Sequence, residues 1–426
     1  MASRFSSFMV QHLLLFHFCF HCFSDAQPSL NYTSRPRSIV FKIEKDPLTL
    51  QYMIKINQGT PRAAVKLVLD LGGKLPWLRC HKGYKSSSYR PVNCMSPQCA
   101  LASKPIKCVL CNSTTSWCHS NACNISTTNP ITQCVGNGEL ITDVVTVESN
   151  KVQRFMPRVF AFGCATTSNF LHGLAKGAKG VAGLGRSSPL SLISQFSVAF
   201  RFSRIFALIL DDRFYNSGGG RYHVTYNGDD VGSLLSYTPL LINPKSSEEY
   251  FIDLKSIEII GSSDDGKAVP IHQKLLSINK KTGVGGTKVS LQVPYTTMET
   301  SIYKAFVSTY LKKAEALNPE LQRVASVAPF DVCFNASTTI LDYTFLVMPS
   351  IHLVFSKNLT WFFTGLQTLV EVNSDVLCLG FIDGGSNPMT SIVIGTDLYK
   401  YNLVEFDIAK SRFGFWKYKY ISGIPI

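Results

Sequence analysis

The sequence predicts a mostly β fold of two lobes with a few short helices. Short β-branched and aromatic runs, such as 65–69, 144–147, 206–210, 251–259 and 391–394, dominate the 426-residue chain and are separated by stretches with Gly, Pro, Asn and Ser. Only two segments carry clear helical spacing: 188–200, with Leu192, Phe196 and Phe200 four apart, and 299–317, with Ile302, Phe306 and Tyr310 four apart. The order of pieces also repeats. An apolar strand ends at Asp70-Leu71-Gly72 and is followed later by Gly180-Val181-Ala182-Gly183. A second one ends at Ser290-Leu291-Gln292 and is followed later by Ile392-Val393-Ile394-Gly395. This reading divides the chain into a leader (1–26), an N-terminal lobe (38–211), a connecting segment (212–250), a C-terminal lobe (251–416) and a tail (417–426). Within the connecting segment, Ser217-Gly-Gly-Gly220 reads as a loop.

The leader has the parts of a secretory signal peptide. Arg4 is the basic start, residues 8–23 are the apolar stretch, and Ser24-Asp25-Ala26 is a small-residue end. His12, His17 and His21 interrupt the stretch and no basic stop-transfer run follows, which speaks against a membrane anchor. The expected location is the extracellular space or cell wall. Of 13 cysteines, Cys19 and Cys22 leave with the leader. Cys80, Cys94, Cys99, Cys108, Cys111, Cys118 and Cys123 form a cluster that reads as a disulfide-stapled region in a secreted chain. Zinc does not fit, because His81 and His119 lack paired ligand spacing. An odd cysteine remains. Sequons at Asn31, Asn112, Asn124, Asn335 and Asn358 agree with export as a glycoprotein.

Charged residues are 16% of the chain, against about 25% in a typical protein, and the formal net charge is +14. A basic balance could serve nucleic acid, but an exported chain does not meet it. It fits a soluble basic surface as well as a hold on an acidic wall polysaccharide. No phosphate-cradling loop, zinc-protease helix motif or nucleophile elbow is present, so no metal or cofactor is expected. Trp77 reads as core, and His223 and His352 as ordinary strand residues.

An apolar strand turning at Asp-x-Gly in each half of a two-lobed β protein is the layout of a pepsin-like aspartic protease. That chemistry needs two facing carboxylates that share one proton. Here Asp70 supplies one, and the equivalent position is Ser290, whose hydroxyl does not ionise near neutral pH. Leu71 stands where the protease motif carries Thr or Ser. Residues 121–150, which hold the flap, contain no Tyr, and the flap hairpin is read at Cys134-Val-Gly-Asn-Gly-Glu139. Asp70 is therefore read as vestigial and the chain as a non-enzyme. The alternatives are a residual aspartic endopeptidase and a storage or peptide-binding wall protein.

At these residues the sequence resembles the plant pepsin-like proteins without protease activity. These are the cereal xylanase inhibitors, the xyloglucan-endoglucanase inhibitors, the extracellular dermal glycoprotein and the basic seven-S globulins. The motifs that carry the resemblance include Val68-Leu-Asp-Leu-Gly-Gly73, Gly180-Val-Ala-Gly-Leu-Gly-Arg186, Tyr237-Thr-Pro-Leu-Leu241 and Gly285-Gly-Thr-Lys-Val-Ser290. The resemblance implies a pepsin fold and a plant-defence role. The protein partner would be a microbial wall-degrading glycoside hydrolase of the xylanase or xyloglucanase class, whose two cleft carboxylates a basic side chain can reach. It places the inhibitory loops at 335–348, with Asp342 and Tyr343, and in the final segment, with Lys417 and Lys419. It also implies a Cys333–Cys378 bridge and Cys164 as the eighth member of the N-terminal cysteine set, with Cys134 an addition to the family pattern.

Overall fold

The apolar run before Asp70 forms strand β1 (Ala63–Asp70), whose last four residues are all buried. A strand covered on both faces needs no alternation, which is why this one reads as a continuous apolar run. The structure is a computed structural model. It describes residues 38–80, 84–111, 119–148, 155–165, 168–210, 216–220, 225–226, 229–230, 235–261, 266–341 and 345–416.

The repeat seen in sequence is a repeat of strand topology. Strand β2 (Trp77–Arg79) pairs antiparallel with β3 (Gly180–Gly183), and β3 lies parallel to β1 with Gly183 opposite Asp70. In the second half, β4 (Thr287–Val289) lies parallel to β6 (Ile392–Ile394), with Val289 opposite Ile394, and β6 runs antiparallel to β5 (Thr296–Met298). An outer strand adds in parallel to each unit, Phe155–Ala165 on β2 and Phe381–Asp383 on β5. The same four neighbours with the same directions make this a bilobal, mostly β, pepsin-like fold. The first unit sits in a ten-stranded sheet and the second in a nine-stranded one, counted among the described residues. The nine-stranded sheet also takes in Ile205–Leu208, paired with Val404–Asp407, and Leu235–Leu241, paired with Arg412–Trp416.

The two helices start where side chains cap them. Ser191 accepts from the Ser194 amide ahead of α1 (Leu192–Phe200), so residues 188–191 stay outside the helix. The Glu299 carboxylate accepts from the Ser301 and Ile302 amides ahead of α2 (Thr300–Leu317), and Ile302, Phe306 and Tyr310 face the core.

Three local readings change. The run 251–259 is broken at Asp253 into Tyr250–Ile252 and Leu254–Ile260, because the Asp253 carboxylate is held by Lys255 and Ser356. Asn216–Gly220 is a strand, its ladder completed by Ser38–Phe41. The flap turn lies earlier than Gly136-Asn137-Gly138, which belongs to strand Val135–Glu148. Those glycines serve close approach. A Cβ at Gly136 would stand 2.8 Å from Phe170, and one at Gly138 would stand 2.3 Å from the Cys164 carbonyl. The turn is instead at 129–134, where the Asn129 side chain accepts from the Ile131 and Thr132 amides.

Disulfides join Cys80 to Cys164, Cys94 to Cys108, Cys99 to Cys123 and Cys333 to Cys378. Cys111 is also disulfide-bonded. Cys134 is free and exposed. The leader, Asn31, Asn112, Cys118, His223, Asp342, Tyr343, Lys417 and Lys419 lie outside the described residues.

Gly138→Ala forces a methyl group into the Cys164 carbonyl and should destabilise the fold by about 1–3 kcal/mol. Urea unfolding of both proteins measures it, and an unchanged midpoint would show that the two strands separate freely.

Candidate functional site: a cleft with one acid at its floor

Strand β1 delivers Asp70 to the meeting point of the two halves, where it is 8% exposed. Its Oδ1 accepts from the Gly72 amide at 2.9 Å and from Gln292 Nε2 at 2.7 Å. Ser290 follows β4 and is also buried. Its hydroxyl donates to Gln292 Oε1 at 2.9 Å and accepts from the Gln292 amide at 3.1 Å. Gln292 thus fills the space between the two turns. It is the functional residue that attention to the acid and its partner position passes over. The signal was present: Ser290-Leu291-Gln292 stands in register with Asp70-Leu71-Gly72, so a long amide replaces a glycine beside the acid.

Among the described residues, no second carboxylate is hydrogen-bonded to Asp70. Glu249 lies near but is ion-paired with Lys288. Glu248 is taken up by Ser187 N at 3.0 Å, Ser187 Oγ at 2.6 Å and Ser188 N at 2.9 Å. Leu71, in place of a supporting hydroxyl, is buried in the apolar core. Loss of water pushes the Asp70 carboxyl up to about 6. The Gly72 amide opposes that rise, Glu249 adds to it, and Lys288 opposes it.

Around this floor lies a cavity of about 830 Å3, lined from the first half by Lys74, Leu75, Trp77 and the flap, and from the second by Lys245, Glu249, Lys288 and Val293. The flap is tied down. Asn129 Nδ2 donates to the Phe170 and His172 carbonyls, and Trp77 Nε1 donates to the Thr128 carbonyl at 3.2 Å. Trp77 is therefore a core residue that also anchors the flap.

The sequon residues differ in setting. Asn358 is exposed at φ 55°, Asn124 is half-buried in a strand, and Asn335 accepts from the Ser337 amide as a cap. His352 lies in strand Ser350–Phe355 with its ring against Phe362. No group of three or more His, Cys, Asp or Glu among the described residues could hold a metal ion.

The folded state binds the Asp70 proton more tightly than the unfolded chain, whose carboxyl titrates near 3.8. Its contribution to stability is therefore whole below about 4 and lost as pH rises through about 6. Asp70→Asn should be more stable than the parent at pH 7 by about 2–3 kcal/mol, with the gap closing near pH 4. Urea midpoints across that range check this. An Asn variant that is less stable at pH 7 would show that the ionised carboxylate stabilises the fold.

The comparisons with known proteins agree with this geometry. Residues 52–221 match the family model described as xylanase inhibitor N-terminal, and residues 249–417 match xylanase inhibitor C-terminal. A Nicotiana benthamiana protein named probable aspartic proteinase GIP2 is 42% identical over 96% of this chain and 95% of its own length. Gamma conglutin 1 of Prunus dulcis is 35% identical over 89% of this chain and 86% of its own length. The crystal structure of edgp superposes with a TM-score of 0.81 at 41% identity, covering 89% of this chain and 95% of that one. Basic 7S globulin from soybean superposes at 0.76 with 30% identity, covering 90% of this chain and 98% of that one. Matched in both halves by the family models and along nearly its whole length by these relatives, the chain belongs to the xylanase-inhibitor family of pepsin-fold proteins.

Proposed function

We propose that this is a secreted, proteolytically inactive pepsin-fold protein that inhibits wall-degrading glycoside hydrolases of the xylanase or xyloglucanase class. The observation that carries the reading is the bonding of Asp70 to Gln292 and, through it, to Ser290. Peptide cleavage by this fold needs a second ionisable group to share the proton. An amide and a hydroxyl occupy that place. A general acid or base contributes about 10²–10⁴ in rate, and losing one member of a catalytic unit costs nearly as much as losing all of it.

The inhibitor half of the reading is supported by the family match over both lobes. Glycoside hydrolases work with two carboxylates in an open cleft. A lysine from the final segment, Lys417 or Lys419, would meet those carboxylates as a point charge. The +14 balance of the chain would speed the encounter.

Titration of the purified protein against a panel of microbial xylanases and xyloglucanases, scored by residual activity, should give stoichiometric loss of activity with at least one enzyme. Lys417→Glu with Lys419→Glu should weaken that inhibition by about tenfold or more. Full residual activity across the panel would sink the inhibitor reading. A casein assay at acid pH should show no cleavage; cleavage abolished by Asp70→Ala would instead establish a residual endopeptidase, the activity named by the Nicotiana relative.

A further inference from the structure

We infer that the disulfide knot at the edge of the first half docks on an anionic lipid surface, with its apolar tips entering the lipid and Lys104 and Lys107 meeting the headgroups. The contact is peripheral, since no helix among the described residues is long and apolar enough to cross a membrane. It does not rest on hydrolase inhibition, and its residues do not line the cleft.

The knot is made of residues 93–111 and 119–123. Its strand Lys107–Cys108 is the last of the ten-stranded sheet and pairs with Cys123–Thr128. Bridges Cys94–Cys108 and Cys99–Cys123 fix the short helix Pro97–Ala102, and the chain on either side of it, to that edge. Cys94, Cys99 and Cys123 are buried inside. Four large apolar side chains, Met95, Leu101, Ile106 and Leu110, are left outside, with Met95 79% and Leu110 90% exposed. A cross-linked unit this small has no room to bury them, and apolar groups gathered in one place on a surface mark a contact. Polar side chains between them are taken up within the knot. Asn93 accepts from the Met95 amide, Ser96 accepts from the Cys99 amide, and Ser103 donates to the Pro105 carbonyl.

The charge on the knot has one sign. Between Asp70 and Glu139 the chain contains no Asp or Glu. Lys104 and Lys107 are exposed on the same loop as Ile106. The acids on the neighbouring strand Val135–Glu148 include Glu139 and Asp143, and both are buried. Glu139 is held by His119, and Asp143 by Tyr84, Ser86 and Ser88. Apolar tips with cations and no carboxylate suit a lipid surface. Acyl chains take the tips, and each lysine near an anionic headgroup adds attraction. A protein partner would be met by directed hydrogen bonds as well, and Asn93, Ser96 and Ser103 already use theirs internally.

A basic chain adsorbs to anionic lipid anywhere on its surface, so the test substitutions leave the charge unchanged. Co-sedimentation at about 0.15 M salt, which screens surface charges beyond roughly 8 Å, uses vesicles of phosphatidylcholine mixed with phosphatidylglycerol and vesicles of phosphatidylcholine alone. The parent should bind the mixed vesicles, and the pure ones about tenfold or more weakly. Met95→Ser with Leu110→Ser should bind the mixed vesicles about tenfold or more weakly than the parent. Leu48→Ser with Val198→Ser, at side chains at least as exposed as Met95 but outside the knot, should stay within about twofold. Thermal midpoints confirm that both variants fold. The secreted protein should behave alike before and after enzymatic removal of N-glycans. Equal losses in the two variants, or no loss in either, would assign the adsorption to net charge and overturn the inference. A parent that stays in solution would overturn it too, as would equal binding to both vesicles, which leaves the lysines without a role. So would binding only after sugar removal, which would show that a glycan at Asn124, in register with Lys107, covers this face.

Discussion

A single hydrogen bond between the halves, from the Gln292 amide to the Asp70 carboxyl, sets the character of this molecule. The pepsin arrangement brings two turns together, and two buried carboxylates at that point cannot both ionise. Here the conflict is removed by neutral groups. Gln292 donates to Asp70 and accepts from Ser290, so every polar atom it turns toward the floor has a partner. The site keeps its acid, and among the described residues no second carboxylate is hydrogen-bonded to it.

The halves are also held together elsewhere. Arg186, nearly buried, donates to the carbonyls of Leu240 and Leu241, and the Tyr250 hydroxyl donates to the Leu184 carbonyl. The Arg186 and Leu184 contacts follow directly from strand β3, which carries the backbone partner of Asp70. Beneath them Phe206, Tyr250, Phe406 and Phe413 pack ring on ring, with Phe206 and Phe406 stacked at 4.7 Å. Buried Asp407 is compensated by Arg412, whose guanidinium also lies 3.7 Å from the centre of the Tyr237 ring. These contacts join residues from both halves around the nine-stranded sheet.

The first half relies more on covalent ties. Bridges from Cys80, Cys94 and Cys99 tie its segments together, and their sulfurs lie among the buried apolar side chains of that half. The flap gains its order from Asn129 and Trp77, and its free Cys134 is left at the exposed end of the turn.

The sequence by itself determined the strand-rich class, the repeat and the serine at residue 290 that stands where the repeat places the counterpart of Asp70. Each is a matter of residue type at a position: β-branched runs, Asp-x-Gly against Ser-x-Gln, and hydroxyl in place of carboxylate. The two helices were legible for the same reason, since the four-residue spacing of Phe196 or Phe306 is a local pattern. Their starts were less so, because a cap is one side chain bonding to one amide. The strand at Asn216–Gly220 and the true flap turn were not legible, because glycine marks both turns and close approaches, and only the neighbouring backbone decides which. Tertiary structure alone decided that Gln292 reaches Asp70 across more than two hundred residues of chain. It also decided that Glu249 pairs with Lys288 while Glu248 is held by Ser187 and Ser188. Those outcomes depend on distances between side chains brought together by folding, and no order of residues along the chain contains them.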